Sequence, residues 1–316
     1  MIGKEGSAIK QVKERSMPSK LKQLRALHAR LIPHHTSYQT VYHDLTKREL
    51  GFQGEQTLDY HLQFLNDDFF LFHDLRISGI NQTFFQIDTL VVCSQFISIV
   101  EVKNIAGSIH FEQASGQMIR KLHDRVESLP NPLTQIHRQH IQLQHFLLNH
   151  RFPSIPIKSL IAFSNPTTMM ETDHPSIIRA EYLPNKLEKI QSQFPVKKLK
   201  TTDIIKLTDC LKNAHVPERI FPLESYLIKP SDLRKGVDCP SCNQPNMTRS
   251  KKNGSWYCIR CKHFSKPAHL QAIEQFSNIF DKKLTNKEAR AYLSIESRHT
   301  AYRMLKEFEA ECAKKR

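Results

Sequence analysis

One stretch of the chain, from Gln86 to Asn104, restricts the fold more than any other. Its residues are almost continuously β-branched, aromatic or otherwise apolar, and Ser94-Gln95 divides the run into two strand-length halves. Three charged residues interrupt the apolar pattern: Asp88, Glu101 and Lys103. Because a charge in an apolar strand is costly to bury without a partner, the pattern predicts a β-hairpin whose charged side chains meet.

The spacing of these charges follows from strand geometry. Successive side chains of a strand point to opposite faces, so Glu101 and Lys103 are expected on the same face. A two-residue turn at Ser94-Gln95 would place Asp88 directly opposite Glu101, with Cβ atoms about 4.5–5.5 Å apart. Two carboxylates at that distance repel each other, and a cation relieves the repulsion. A longer turn would change the pairing, so the register is an expectation that the structure tests.

Two carboxylates and an amine in one hairpin indicate a site for Mg²⁺ or Mn²⁺. Hard cations take oxygen ligands, keep several waters and often bridge to phosphate oxygens. Such a metal stabilises charge on a phosphodiester in the transition state, and a nearby lysine can orient the attacking water. The chemistry indicated for Asp88, Glu101 and Lys103 is metal-assisted phosphodiester hydrolysis. The alternative is an internal salt bridge, which contributes little to stability and needs further hydrogen bonds.

The hairpin and the segments around it resemble a known family. Asp88 followed by Glu101-Val102-Lys103 is similar to the D…ExK signature of the PD-(D/E)xK nuclease superfamily. More closely, the chain resembles the nuclease-related domain (NERD) branch of that superfamily, over residues 45–165. Ile105-Ala106 departs from the pattern, because family members often carry an aromatic residue there. The segments that carry the resemblance are Gly51-Phe52-Gln53-Gly54-Glu55, Ile87-Asp88, Val100-Glu101-Val102-Lys103-Asn104 with Gly107, and Asn131-Pro132-Leu133-Thr134-Gln135.

This resemblance implies a fold and a set of site residues. The fold would be α/β, with a restriction-endonuclease-like mixed β-sheet core flanked by helices. Asp88 and Glu101 would hold Mg²⁺ or Mn²⁺, and Lys103 would position or activate the water. Glu55 and Gln135, each on a helix, would support these three catalytic residues.

The residues around Glu55 and Gln135 leave simpler explanations open. Gly51 and Gly54 bracket the predicted start of an amphipathic helix, where Glu55 could be a first-turn glutamate favoured by the helix dipole. Asn131-Pro132 is a typical helix N-terminus, and Gln135 in its first turn could be a solvated polar residue. The same helix carries four histidines that we interpret as surface residues, because no third metal ligand is evident: His137, His140, His145 and His150.

Four of the seven cysteines form a second predicted metal site. The C-x₂-C pairs Cys239/Cys242 and Cys258/Cys261 are separated by fifteen residues, a spacing within the zinc range. Four thiolates close a tetrahedral site, so a structural Zn²⁺ is predicted in a small zinc ribbon, with Asn253-Gly254 as its turn. Disulfides are the first alternative and are disfavoured in a cytosolic chain. A redox-active pair is the second, but no thioredoxin-like pattern surrounds it.

The charge balance favours a polyanionic partner. Lysine and arginine number 46 against 31 acidic residues, and the formal net charge is +15. This excess suits nucleic acid, and we expect DNA; an ordinary basic protein is the alternative. The chain lacks a run of about 20 apolar residues that could span a bilayer, and its first residues lack the apolar middle of a secretory signal. We therefore expect a cytoplasmic protein with no membrane partner and no small-molecule cofactor, whose oligomeric state is unknown.

The sequence divides into four predicted parts. Residues 1–45 form a basic helical arm, and residues 46–230 form the nuclease-like domain, with its motif core at 46–166. Residues 231–265 form the zinc ribbon, which presents basic side chains to nucleic acid or acts as a folding staple. Residues 266–316 are helical, and their last two helices form a candidate helix-turn-helix or a plain helical hairpin. The basic side chains around the ribbon are Lys251, Lys252, Arg260, Lys262 and His263.

Together these patterns give one leading hypothesis and two alternatives. The leading hypothesis is a Mg²⁺-dependent nuclease-like enzyme that hydrolyses phosphodiester bonds of DNA, with the ribbon and the C-terminal helices engaging the polymer. The first alternative is a catalytically inactive protein that keeps the nuclease fold and binds nucleic acid. The second is a scaffold whose ribbon binds another protein.

Overall fold

The computed structural model describes residues 10–112, 115–245, 247–250 and 253–314. Contacts divide the chain into two compact units. The first unit contains the residues up to 17 together with 49–217, and the second contains residues 18–48 together with those from 218 onward. The four predicted parts do not coincide with these units, and the boundaries at 45, 230 and 265 remain a proposal.

Strands and helices occur in runs along the described chain, with six consecutive strands from β2 to β7 and three helices after β13. The strands are β1 (Lys10–Lys13), β2 (Phe70–Ser78), β3 (Phe84–Val92), β4 (Ile97–Lys103), β5 (Gly107–Glu112), β6 (Gln117–Leu122), β7 (Arg125–Leu129), β8 (Ile157–Phe163), β9 (Thr168–Glu171), β10 (Ile177–Arg179), β11 (Thr248–Arg249), β12 (Trp256–Tyr257) and β13 (Phe264–Ser265). The helices are α1 (Ser19–Arg30), α2 (Tyr38–Leu62), α3 (Pro132–Asn149), α4 (Leu183–Gln193), α5 (Thr201–Asn213), α6 (Pro222–Ser225), α7 (Ala268–Phe280), α8 (Asn286–Leu293) and α9 (Arg298–Lys314).

The first unit is built on a mixed six-stranded sheet in the order β1-β2-β3-β4-β8-β10. Strands β2, β3 and β4 are antiparallel neighbours, whereas β1, β8 and β10 each join the sheet in parallel. A second sheet of four strands has the order β7-β6-β5-β9. The predicted α/β class, with a mixed sheet flanked by helices, is confirmed.

Alternating side chains of β4 supply the cores on the two faces of the six-stranded sheet. Ile97 and Ile99 lie in one core with Leu143 of α3, and α5 contributes to the same core. Val100 lies in the other core with Leu58 of α2, and α4 contributes there. Because alternation continues along the strand, Glu101 and Lys103 lie on the face covered by α3.

The central hairpin has the predicted register. Val92 pairs with Ile97 and Thr89 pairs with Val100, and the Cys93 amide donates to the Phe96 carbonyl at 3.1 Å across the Ser94-Gln95 turn. The backbone pairing ends at Thr89 and Val100, and the same register continued by one residue would place Asp88 opposite Glu101. The two-residue turn is therefore confirmed.

Helix α2 differs from the prediction at its start. It begins at Tyr38, so Gly51 and Gly54 lie inside the helix and Glu55 is far from its first turn. A Cβ on Gly54 would lie 2.5 Å from Asn104 Cβ and 2.7 Å from Ser164 Oγ. Gly54 thus allows the helix to pack closely against the ends of β4 and β8. The predicted helix start is wrong, and the helix dipole does not explain Glu55.

The predicted helical arm also needs a correction. Residues 10–13 form strand β1, which pairs in parallel with β2 through Lys10 and Phe70. The open edge of β2 offers backbone groups that a strand can pair with and a helix cannot. Helix α1 begins only at Ser19, after Pro18. Residues 1–9 of the predicted arm lie outside the described residues.

The second unit contains the cysteine-rich segment and the C-terminal helices. Strands β11, β12 and β13 form an antiparallel three-stranded sheet. Its buried Trp256 shares one hydrophobic core with Ala272 of α7, Leu293 of α8 and Ala301 of α9. The segment therefore packs with the helices that follow it in sequence. None of the helices in the described part of the chain has the length and apolar character that crossing a bilayer requires.

Candidate active site

The site forms where β4 ends beneath α3. Glu101 is 3% exposed, and each of its carboxylate oxygens has a partner. Lys103 Nζ donates to Glu101 Oε1 at 2.7 Å, and Gln139 Nε2 donates to Glu101 Oε2 at 2.9 Å. Lys103 Nζ also donates to Gln135 Oε1 at 3.0 Å. The structure therefore brings Gln135 into contact with Lys103, for which sequence analysis predicted a catalytic role.

Helix α3 begins where the sequence predicts, and it presents two glutamines to strand β4. Pro132 occupies the first turn and the Asn131 side chain accepts a hydrogen bond from the Leu133 amide at 2.9 Å, so the predicted N-terminus is confirmed. Gln135 and Gln139 are four residues apart and share one face of the helix. Sequence analysis missed Gln139, although its spacing from Gln135 could have indicated it.

Asp88 lies beside Glu101 and interrupts the backbone pairing of the hairpin. Its Oδ2 accepts a hydrogen bond from the Val102 amide at 2.8 Å. The pKa of Asp88 is raised well above its usual value, first by burial and then by the negative charges of Glu101 and Glu55. Lys103 opposes this shift without cancelling it. Asp88, unlike Glu101, therefore lacks a sufficient neighbouring positive charge.

These donors fit a hard divalent cation. The pKa of Asp88 is raised first by burial and then by the negative charges of Glu101 and Glu55, and a bound cation would offset both effects. The Oε1 atom of Gln139 is buried with no hydrogen-bond partner, which leaves one further unsatisfied oxygen beside Glu101. Asp88 and Glu101 offer two carboxylates, a number that suits Mg²⁺ because this ion usually keeps several of its waters.

Glu55 approaches the site from the opposite layer. It lies on α2, and its Oε2 accepts from Arg15 Nη1 at 2.6 Å. Its charge still raises the pKa of Asp88, after the larger effects of burial and of Glu101. The structure thus places Glu55 between a buried arginine and the predicted metal ligands.

Arg15 was not predicted and organises the polar residues behind Asp88. Its side chain is 5% exposed. Its Nε lies 3.0 and 2.9 Å from the two carboxylate oxygens of Asp59, and its Nη2 lies 3.1 Å from Thr89 Oγ1 and 2.8 Å from His73 Nδ1. Burial, and then the charges of Arg15 and Lys13, lower the pKa of His73 to about 3. His73 is therefore neutral near pH 7 and accepts from Arg15.

The four predicted zinc ligands meet in the second unit. The sulfurs of Cys239, Cys242, Cys258 and Cys261 all lie within 4.8 Å of one another. Two of the sulfur pairs are 3.6 Å apart, close to the separation of about 3.8 Å that tetrahedral Zn–S bonds of about 2.3 Å give. Backbone N–H groups, first that of Cys261, lower the pKa of Cys258 to about 6. The cysteines are free thiols, and the cluster fits a metal such as zinc.

Basic side chains lie near the cluster and at the turn between α8 and α9. Arg260, Lys262 and His263 are exposed around the ribbon, whereas Lys251 and Lys252 lie outside the described residues. At the turn, a cavity of about 410 Å³ is lined by four polar or aromatic side chains: Asn286, Arg298, His299 and Tyr302.

Comparison with known proteins supports the resemblance of the hairpin region. Residues 50–164 match the family model of the nuclease-related domain. The matched segment contains Glu55, Asp88, Glu101, Lys103 and Gln135. Comparisons with curated proteins and with solved structures found no match.

Proposed function

We propose, from the premise that residues 50–164 form a nuclease-related domain, that this protein is a metal-dependent nuclease that hydrolyses phosphodiester bonds of DNA. One observation carries the proposal. Lys103 Nζ contacts both Glu101 and Gln135, beside a second buried acid, Asp88, whose pKa is raised by burial and by neighbouring negative charge. Two acids can hold a divalent metal and an adjacent amine can stabilise developing negative charge, so this arrangement suits metal-assisted hydrolysis.

Each side chain has a proposed role that follows from its contacts. Asp88 and Glu101 would hold Mg²⁺ or Mn²⁺, which when bound supplies positive charge at the scissile phosphate and acidifies water. Lys103 would orient the attacking water and stabilise the developing negative charge. Gln135, which accepts from Lys103 Nζ, would hold the amine in place. Glu55 would support the site through its charge on Asp88.

The second unit would engage the polymer. We propose that Cys239, Cys242, Cys258 and Cys261 hold a structural Zn²⁺, because a closed four-sulfur site leaves no open position for chemistry. The exposed basic side chains of the ribbon, together with Arg298 and His299 at the α8–α9 turn, would contact DNA phosphates.

The proposal is tested by cleavage of labelled duplex DNA with Mg²⁺ or Mn²⁺. We expect the wild type to cleave, and Asp88→Asn and Lys103→Met to lose at least about a hundredfold in rate. Lys121→Met removes an exposed lysine elsewhere in the first unit and should leave the rate unchanged. Wild-type rates in either variant, or equal losses in the control, would contradict the proposal.

One observation favours a second function, that of a nucleic-acid-binding protein without activity. The 2.7 Å ion pair between Lys103 and Glu101 satisfies both charges without a metal. DNA binding that weakens steeply with salt, with no cleavage in any divalent metal, would support this function. Weak binding that is insensitive to salt would instead favour a protein-interaction scaffold.

A further inference from the structure

A groove of about 630 Å³ runs along α3 on a different face from the one that contacts Glu101. Its walls come from α3, β8, α4 and the segment before β10, all within the first unit. Gln135 and Gln139 point to the active site, whereas His137 and His140 line the groove. The volume is in the usual range for pockets that bind small ligands, about 300–1,000 Å³.

The polar side chains of the groove suit an anion. Lys158 of β8 and Lys186 of α4 line it together with His137, His140 and His174, and none of the side chains lining it in the described structure is acidic. Because the charged side chains that line the groove are all positive, they concentrate positive potential within a concave surface. Among nearby acids, Asp173 and Glu188 do not line the groove, although both are close in sequence to residues that do.

The charge comes from the lysines, and the histidines and serines supply hydrogen bonds. Burial, and then the neighbouring His137, lower the pKa of His140, so its ring is neutral near pH 7. His140 Nδ1 lies 3.4 Å from Ser159 Oγ, and Ser176 lines the same groove. Lys158 Nζ lies 5.0 Å from the centre of the Phe194 ring, a cation–π contact that holds the ammonium beside the groove.

Apart from Gln193, the remaining lining is apolar. Ile136 of α3, Ile157 and Leu160 of β8, and Ile190 of α4 present aliphatic side chains. A purely ionic site for inorganic phosphate would not need such a surface. An apolar lining together with two lysines and two hydroxyl groups matches a ligand with a flat, weakly polar ring and a phosphate.

We propose that this groove binds a nucleoside phosphate, with the base against the aliphatic side chains and the phosphate at Lys158 and Lys186. The same chemistry occurs in a free nucleotide and at the phosphorylated end of a nucleic-acid strand. This site is separate from the proposed metal centre and does not depend on whether the protein cleaves DNA.

The test is a calorimetric titration of the full chain without added divalent metal. The probes are adenosine 5′-monophosphate, adenosine, and a five-nucleotide DNA with and without a 5′-phosphate. We expect saturable binding of the monophosphate, or of the phosphorylated oligonucleotide alone if the source is a strand end. Unphosphorylated probes should bind at least about tenfold more weakly.

Lysine variants localise the binding. Lys158→Gln and Lys186→Gln should each weaken it about tenfold, whereas Lys189→Gln on the same helix α4, exposed and outside the groove, should not change it. Thermal melting verifies that each variant is folded. The proposal is overturned if no phosphorylated probe saturates, if adenosine binds as well as its monophosphate, or if Lys189→Gln weakens binding as much as the groove variants. Because no metal is added, this result is distinguishable from a failure of the proposed nuclease activity.

Discussion

Gln139 Nε2 lies 2.9 Å from Glu101 Oε2 and also 2.9 Å from the backbone oxygen of Gln86. One amide group on α3 therefore contacts both strands of the central hairpin, β3 through Gln86 and β4 through Glu101. Because this contact orients a proposed metal ligand, we expect Gln139 to act as a positioning residue. Mutation of a residue that hydrogen-bonds to a metal ligand commonly lowers metal affinity by about 10- to 100-fold.

Removing the Gln139 amide should weaken metal binding. In Gln139→Ala, Glu101 loses one of its two partners, so the Mg²⁺ concentration for half-maximal cleavage should rise by about tenfold or more. The measurement is the cleavage rate as a function of Mg²⁺ concentration. Gln144→Ala on the exposed face of the same helix is the matched control and should behave as the wild type. An unchanged Mg²⁺ dependence in Gln139→Ala would show that the Gln139 amide contributes to packing and does not affect metal binding.

Metal binding should depend on pH through Asp88. A carboxyl group with a raised pKa holds its proton at pH values where an ordinary aspartate is ionised, and a metal must displace that proton. Mn²⁺ affinity should therefore fall as the pH decreases through this raised pKa. Glu55→Gln removes a negative charge that raises the pKa, so the fall should move to lower pH. If Mn²⁺ affinity falls at the same pH in the wild type and in Glu55→Gln, the electrostatic role of Glu55 is contradicted.

Neutral His73 should make the first unit sensitive to acid. Its pKa is about 3 in the folded chain and about 6.5 when unfolded, so the unfolded chain binds more protons between these values. This histidine's contribution to stability is intact above about pH 6.5 and is lost as pH falls toward 3. At pH 5 the loss is about 2 kcal/mol.

The check is the free energy of unfolding against pH, measured by denaturant titration. His73→Gln keeps an acceptor for Arg15 and removes the titration, so its stability should fall less than that of the wild type between pH 7 and 5. His34→Gln, which changes an exposed histidine, should keep the wild-type slope. Parallel curves for wild type and His73→Gln would show that His73 titrates normally.

Loss of the cysteine-bound metal should unfold the ribbon, and Trp256 reports it. This residue is the single tryptophan of the chain and is 2% exposed in the core next to the cysteines. Cys258→Ser should lower the zinc content from one ion per chain to near zero and shift Trp256 emission to longer wavelength, because zinc ribbons depend on their metal for folding. Cys312→Ser removes an exposed cysteine outside the cluster and should change neither value. Full zinc content in Cys258→Ser would contradict the four-cysteine site.

Sequence patterns predicted best those features that depend on neighbouring residues. The Ser94-Gln95 turn fixes the hairpin register over a few residues, and Asn131-Pro132 determines the start of α3 locally. The C-x₂-C spacing likewise brings the two sulfur atoms of each cysteine pair close together. For these features the local pattern and the tertiary fold agree.

Features that depend on distant packing were missed. Arg15 reaches Glu55 and Thr89 only because β1 pairs with the edge of β2, and nothing near Arg15 in sequence indicates that pairing. Helix α2 continues through Gly54 because close packing against Asn104 and Ser164 outweighs the low helix propensity of glycine. Neither contact can be predicted from the residues that surround Arg15 or the glycines of α2 in the sequence.

The central claim is that Asp88 and Glu101 jointly bind a divalent cation, and a calorimetric Mn²⁺ titration tests it most directly. We expect one saturable Mn²⁺ site in the wild type, loss of that site in Asp88→Asn and in Glu101→Gln, and an unchanged site in Asp124→Asn, which alters an exposed aspartate in the β6–β7 turn. Absence of Mn²⁺ binding in the wild type, or binding as tight as in the wild type in Asp88→Asn or Glu101→Gln, would contradict the account.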